Sequence, residues 1–229
     1  MQQNPDIKIL FTKDLSEDWI AGKLNPSLDF SIRPALKIEL ISSDQFENRI
    51  IPEIKKYLIS SQNSVKAISK LNLDGEFYVV GQKTAEFLRN SNFNVVQVAD
   101  YAIDLAAYIL DNEIPQTWNF FCGNNRRDEL VEILGNEGHK LNEIICYNSY
   151  PQELKIRSEA YTGFVFFSPL SVKTYFKNNF ISKGAIVFSI GNTTTGELKK
   201  HTENTIITSE VPEMEHLIQT INKYYVGNE

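Results

Sequence analysis

The chain has 229 residues, 42% hydrophobic and 23% charged, which suits one large domain or two of about 100 residues each. A net charge of −6 and a pI near 5.2, with no Lys/Arg run, argue against nonspecific nucleic-acid binding, and no apolar run approaches the roughly 18 residues of a membrane span. The opening Met1-Gln2-Gln3-Asn4-Pro5-Asp6 lacks the basic and apolar regions of a signal peptide, so a soluble cytoplasmic protein is expected.

Strand and helix patterns alternate from the start. Lys8 to Thr12 is a short apolar strand ending in a hydroxyl, and Leu15, Trp19 and Ile20 give helical spacing after it. Asp29 to Leu40 alternates through Phe30, Ile32, Ala35, Leu36, Ile38 and Leu40, with Pro34 interrupting, which predicts a long extended segment suited to crossing between lobes. A helix is expected from a Ser43 or Asp44 cap through Phe46, Ile50 and Ile51, ending near Pro52. Tyr57 to Ser60 is a strand delivering Ser61-Gln62-Asn63 to a helix with Val65 and Ile68 inward. Phe77 to Val80 repeats this, with Gly81 at the turn and Thr84, Ala85 and Leu88 starting the next helix. Val95 to Val98 is another strand, and Asp100 caps a helix that runs through Leu110 and stops before Pro115.

Trp118 to Cys122 opens a second pass, followed by Gly123-Asn124-Asn125-Arg126-Arg127-Asp128, a helix through Leu130, Ile133 and Leu134, and Gly135 and Gly138 at its end. Asn142 to Tyr150 is a second long extended segment, placed in its half as Asp29 to Leu40 is in the first; the pair suits a hinge. Phe164 to Phe167, Ala185 to Ile190 and Thr205 to Thr208 are the remaining strands, and Met214, Leu217, Ile218 and Ile221 mark a closing helix. Strands separated by helices predict parallel sheets covered on both faces, with ligands at the carboxyl ends of the strands.

An internal duplication stands out. Ser168-Pro169-Leu170-Ser171-Val172-Lys173 matches Ser61-Gln62-Asn63-Ser64-Val65-Lys66 in serine, serine, valine and lysine at an offset of 107 (168 − 61). Gly191-Asn192-Thr193-Thr194, with Leu198 after it, echoes Gly81-Gln82-Lys83-Thr84 and Leu88 at an offset of 110 (191 − 81). Two related lobes facing one cleft are expected. A strand ending in Ser or Gly, then hydroxyls at a helix start, presents free N–H groups and a positive dipole end, which is an anion-binding arrangement. The plainer alternative is that Ser61, Ser168, Thr84 and Thr194 only cap helices; repetition in both halves favours function. Lys66, Lys173, Arg126 and Arg127 are further groups able to balance carboxylates, against the alternative that they are solvated. Neither a Walker A loop nor a Gly-x-Gly-x-x-Gly turn is present, since Glu197 stands where a phosphate-loop lysine belongs, and this disfavours a nucleotide- or sugar-transferring reading.

Cys122 and Cys146, 24 apart without a zinc-like spacing, are expected to be buried, inert thiols. His139, His201 and His216 are scattered and are expected at the surface. Tyr147, with Tyr150 nearby, lies on the second extended segment, where a core or hinge role is the plainer alternative to a functional one.

Gly81 to Leu88 (GQKTAEFL), Arg127 to Leu134 (RDELVEIL) leading to Ile145-Cys146-Tyr147, Phe166-Phe167-Ser168-Pro169 with Val172, and Ile190-Gly191-Asn192-Thr193-Thr194 together resemble the uroporphyrinogen-III synthase family, in that order and over nearly the whole chain. The resemblance implies an α/β fold of two flavodoxin-like parallel-sheet lobes of five strands each, joined by a two-stranded β-ladder with a cleft between them. Residues 1–36 and 151–229 would form the first lobe and 37–150 the second. It implies a cofactor-independent hydro-lyase without a metal site, acting on hydroxymethylbilane, a linear tetrapyrrole polycarboxylate supplied by a bilane-forming deaminase that is itself a candidate partner; neither nucleic acid nor membrane is a partner, and a monomer is expected. By motif match, Tyr147 assists departure of the hydroxyl group. Ser168, Thr193, Thr194 and Thr84 bind carboxylates, with Ser61, Gln62 and Gly191 adding backbone donors and Thr12, Lys13, Gly81, Lys83, Arg127 and Pro169 completing the substrate-binding set. The rival reading is a noncatalytic tetrapyrrole- or polyanion-binding module of the same fold.

Overall fold

A computed structural model of the chain describes residues 7–227. The elements run β1 (Lys8–Phe11), α1 (Glu17–Ala21), β2 (Asp29–Ile32), β3 (Leu36–Leu40), β4 (Lys56–Ile59), α2 (Gln62–Ile68), β5 (Glu76–Val80), α3 (Gln82–Asn90), β6 (Val95–Ala99) and α4 (Ala102–Asn112). They continue as β7 (Thr117–Gly123), α5 (Glu129–Asn136), β8 (Lys140–Pro151), β9 (Gly163–Phe166), α6 (Pro169–Phe176), β10 (Ile186–Ser189), α7 (Asn192–Leu198), β11 (Ile206–Thr208) and α8 (Met214–Val226). These form two units, Met1–Lys37 with Tyr150–Glu229, and Ile38–Ser149.

In the discontinuous unit the sheet order is β11-β10-β9-β1-β2, with every neighbouring pair parallel. Successive residues of β1 serve opposite faces. Ile9 and Phe11 pack with Ile20, Leu217 and Ile221, whereas Leu10 packs with Val172, Tyr175 and Leu198. A sheet covered on both sides has no solvent face, so its strands read as unbroken apolar runs.

The continuous unit has the order β3-β8-β7-β4-β5-β6. Tyr57, Phe77, Val79 and Phe121 pack with Val65, Ala85 and Leu88 on one face; Leu58, Tyr78, Trp118 and Phe120 pack with Leu105, Ile109 and Leu130 on the other. The Tyr57 ring stacks on Phe77 at 4.7 Å and on Phe121 at 6.0 Å, contacts worth about 0.5–1.5 kcal/mol each beyond area burial. This sheet has six strands, where the resemblance implied five. Ile41 N–H donates to Cys146 O at 3.0 Å and Gln152 N–H to Ala35 O at 2.9 Å, so β3 adds antiparallel to the far end of β8 and forms the two-stranded ladder.

Other differences are local. The extended segment of residues 29–40 is two strands, because Pro34 has no N–H to pair; its neighbours Arg33 and Ala35 donate instead to Phe11 O and Thr12 O. The helix expected after Ser43 is two single 3₁₀ turns, Ser43–Gln45 and Glu47–Arg49. Phe46 between them leaves helical geometry at φ −127 and buries its ring 6.2 Å from that of Phe121. The helix expected to be capped by Asp100 begins instead after Tyr101 and has no side-chain cap. His139, expected at the surface, is only 4% exposed: Trp118 Nε1–H donates to its Nδ1 at 2.9 Å, and burial lowers its pKa.

Candidate functional site

In each unit the chain builds the sheet outward from one strand in one direction, then returns to that strand's other side. In open α/β sheets such a reversal marks the usual ligand position, at the carboxyl ends of the two strands involved. In the discontinuous unit these strands are β1 and β9, whose ends deliver Thr12-Lys13 and Ser168-Pro169. In the continuous unit they are β4 and β7, delivering Ser61-Gln62 and Gly123 to Arg127. The second cassette of each unit follows the adjoining strand: Gly81, Lys83 and Thr84 after β5, and Gly191, Thr193 and Thr194 after β10. The repeat therefore supplies one Ser cassette and one Gly cassette to the carboxyl edge of each sheet.

The two cassette types differ in how their helix starts are satisfied. Ser168 closes a capping box on α6: its Oγ accepts from Ser171 N–H at 3.1 Å, and Ser171 Oγ accepts from Ser168 N–H at 3.2 Å, with Pro169 as first helical residue. Ser61 accepts from Asn63 N–H at 3.2 Å and so caps α2. Gly81 and Gly191 supply no side-chain cap to α3 or α7, which leaves first-turn N–H groups to solvent or a ligand. Thr84 and Thr194 are buried in these first turns, and Thr194 Oγ1 has no hydrogen-bond partner among the described residues. Leaving such a hydroxyl unpaired costs about 1–3 kcal/mol.

Not every predicted residue has a hydroxyl or charge to offer. Thr12 is 1% exposed, and its Oγ1 donates to Val165 O at 2.7 Å, so it ties β1 to β9. Lys13 is exposed with Nζ 5.6 Å over the Phe167 ring. Gln62, Gly81, Lys83 and Gly191 are half-buried, and Thr193 is exposed. The adjacent arginines are separated by structure: Arg126 is held charged between Glu143 and Asp128, whereas Arg127 is exposed.

Tyr147 is half-buried on β8 and pairs with Gly123 at the end of β7. Burial raises its phenol above the ordinary value, partly opposed by the neighbouring Ser61 side chain, so at neutral pH the group is a protonated hydrogen-bond donor. The structure thus brings Tyr147, Ser61 and the Gly123 turn together at one switch point. In the sequence Gly123 is legible only as the residue that follows a strand; nothing there paired it with Tyr147. Cys122 and Cys146 are both buried, and burial pushes their thiols up to about 12 and about 11, which makes them poor nucleophiles. An open depression of about 450 Å³ lined by Lys55, Lys56, Asp74, Glu76 and Asn94 lies at the opposite, amino ends of β4 and β5, and its mixed charge does not suit a polyanion. Among the described residues no helix is long and apolar enough to cross a membrane.

Comparison with known proteins bears on the family and the fold. The family model for uroporphyrinogen-III synthase matches residues 29–219. The structure is similar to a uroporphyrinogen-III synthetase from Helicobacter pylori at TM-score 0.65 and 13% identity, covering 95% of this chain and 99% of that one. It is also similar to a mutant uroporphyrinogen III synthase from Thermus thermophilus, at TM-score 0.67 and 14% identity, covering 95% and 98%. At these identities the likeness shows the two-lobe fold. No curated protein matches the sequence.

Proposed function

Because the chain belongs to the uroporphyrinogen-III synthase family of porphyrin and haem biosynthesis, we propose that it converts hydroxymethylbilane to uroporphyrinogen III. The bilane loses the hydroxyl of its terminal hydroxymethyl group as water and becomes an azafulvene. The substituted carbon of ring D then attacks to give a spiro intermediate, which fragments and recloses with ring D inverted. The activated bilane closes unaided to the uninverted isomer, so the protein's task is to bias geometry more than to supply a strong acid or base. A cytoplasmic, monomeric, cofactor-independent enzyme fed by the bilane-forming deaminase completes the reading.

The observation that carries it is Tyr147, a neutral phenol beside Ser61 at the carboxyl edge of its sheet. A phenol kept protonated by burial hydrogen-bonds the departing hydroxyl without itself competing as an anion. The bilane carries eight acetate and propionate carboxylates. We assign them to Ser61, Gln62, Thr84, Ser168, Thr193 and Thr194, to the uncapped helix starts at Gly81 and Gly191, and to Lys13, Lys83 and Arg127, with Thr12 and Pro169 shaping the turns. A single exposed helix end contributes only about 0.3–1 kcal/mol, and a charge-assisted hydrogen bond about 1.5–3, so several must act together. Local donors of this kind make the overall charge of −6 no obstacle.

Steady-state turnover of freshly generated hydroxymethylbilane tests the role of Tyr147. Tyr147→Phe should lower kcat by about 10²-fold, at the low end of what a positioned proton donor contributes, while affinity for uroporphyrin III stays near wild type. Unchanged kcat would remove Tyr147 from the mechanism.

A further inference from the structure

β8 does not keep a regular register. It pairs with β7 residue by residue from Thr117↔Lys140 to Cys122↔Ile145, then jumps to Gly123↔Tyr147 and leaves Cys146 as the extra residue of a bulge. In a regular strand neighbouring side chains point to opposite faces, yet Cys146 and Tyr147 both pack on the core formed with Val65, Ala85 and Leu88. The bulge re-aims Tyr147, as such irregularities do.

Three consecutive residues then hold the tyrosine there. A Cβ added to Gly123 would stand 2.4 Å from Tyr147 Cζ, 2.5 Å from Cε2 and 2.8 Å from its hydroxyl oxygen, so the phenol ring occupies the space that any side chain at 123 would fill. Gly123 does not have a left-handed φ; glycine is needed at this position for room. Asn124 N–H donates to Tyr147 O at 3.2 Å, and Asn124 Oδ1 accepts from Ser149 N–H at 2.8 Å. Asn125 Nδ2 donates to Ser149 O at 2.8 Å. Both peptide groups of Ser149, two residues beyond the tyrosine, are thus clamped by side chains of the same turn.

We infer that Gly123-Asn124-Asn125 is a positioning element for Tyr147, fixing the phenol where β8 bulges; its effect on catalysis rests on the role of Tyr147 proposed above. Gly123→Ala should lower kcat by about 10²-fold through displacement of the ring, with KM changed much less. In a Tyr147→Phe background it should cost nothing further, because the hydroxyl it misplaces is gone. Melting temperature tests the steric claim without activity: Gly123→Ala should lower Tm in the wild-type chain and leave it unchanged in a Tyr147→Ala background, where the ring is absent. Asn124→Ala keeps the room for the ring but releases Ser149, so it serves if Gly123→Ala fails to fold; its kcat loss should be smaller and should also vanish in the Tyr147→Phe background. Losses that multiply in the double variants, or an equal Tm drop with and without the Tyr147 ring, would overturn the inference. A wild-type chain without turnover would overturn the function proposed above, and the melting comparison would still decide the packing claim.

Discussion

Gly81→Ala and Gly191→Ala alter the same place in the repeated cassette, and the structure predicts opposite outcomes. Gly81 sits at φ 93 and ψ 129, where an L-residue is strained, while its added Cβ would meet only Thr84 Oγ1 at 3.6 Å, an ordinary contact. The cost is therefore conformational, about 1–3 kcal/mol, or roughly five- to 150-fold in the local unfolding equilibrium. Gly191 sits at φ 174 and ψ 174, extended backbone open to any residue, and its nearest neighbour would be Pro212 Cβ at 3.5 Å. Alanine there costs no strain and restricts the unfolded chain, so stability should be unchanged or rise by about 0.4–1 kcal/mol. The glycines belong to different units, so each effect should be read locally, by native-state hydrogen exchange at the amides of Val79 in β5 and Phe188 in β10. Loss of protection at Val79 in Gly81→Ala, with none at Phe188 in Gly191→Ala, is expected. Equal losses in both would refute the argument that these repeated glycines serve different backbone needs.

Two other predictions follow from buried polar groups. His139 has its folded pKa depressed by burial, so the stability from its neutral form is fully present above the unfolded value of about 6.5 and is lost as pH falls through the lower folded value. Urea midpoints followed by tryptophan fluorescence should drop on mild acidification, and His139→Asn, which keeps an acceptor facing Trp118 but cannot protonate, should flatten that acid limb; an unchanged limb would remove His139 as its cause. Thr194→Val replaces the unpartnered Oγ1 by a methyl of similar size, so the free protein should gain up to about 1–3 kcal/mol while uroporphyrin III binding weakens. Lower stability would mean that the hydroxyl has a partner within the folded chain.

Much of the fold was legible because parallel strands buried on both faces read as apolar runs with helices between them, as at Phe77–Val80 and Phe164–Phe166. The repeat located the Ser and Gly cassettes at strand ends, where they stand in both sheets. What the sequence hid was non-local. The sixth strand depends on Leu36–Leu40 meeting the end of β8 more than 100 residues later, and no local pattern carries that pairing. Residues 43–51 read as helix because Phe46, Ile50 and Ile51 have the right spacing, but burial of Phe46 against Phe121 overrides a segment too short to nucleate. His139 read as surface because its neighbours are Gly and Lys; its burial is set by Trp118 on β7. The space that Gly123 yields to Tyr147 depends likewise on a register shift between two strands, which composition cannot reveal.

The most direct test of the account is to supply the purified chain with freshly generated hydroxymethylbilane, oxidise the products, and resolve porphyrin isomers I and III chromatographically beside a no-protein control. Isomer III is expected well above the control. Isomer I alone, from protein shown to be folded, would contradict ring inversion and leave a tetrapyrrole- or polyanion-binding module of the same fold.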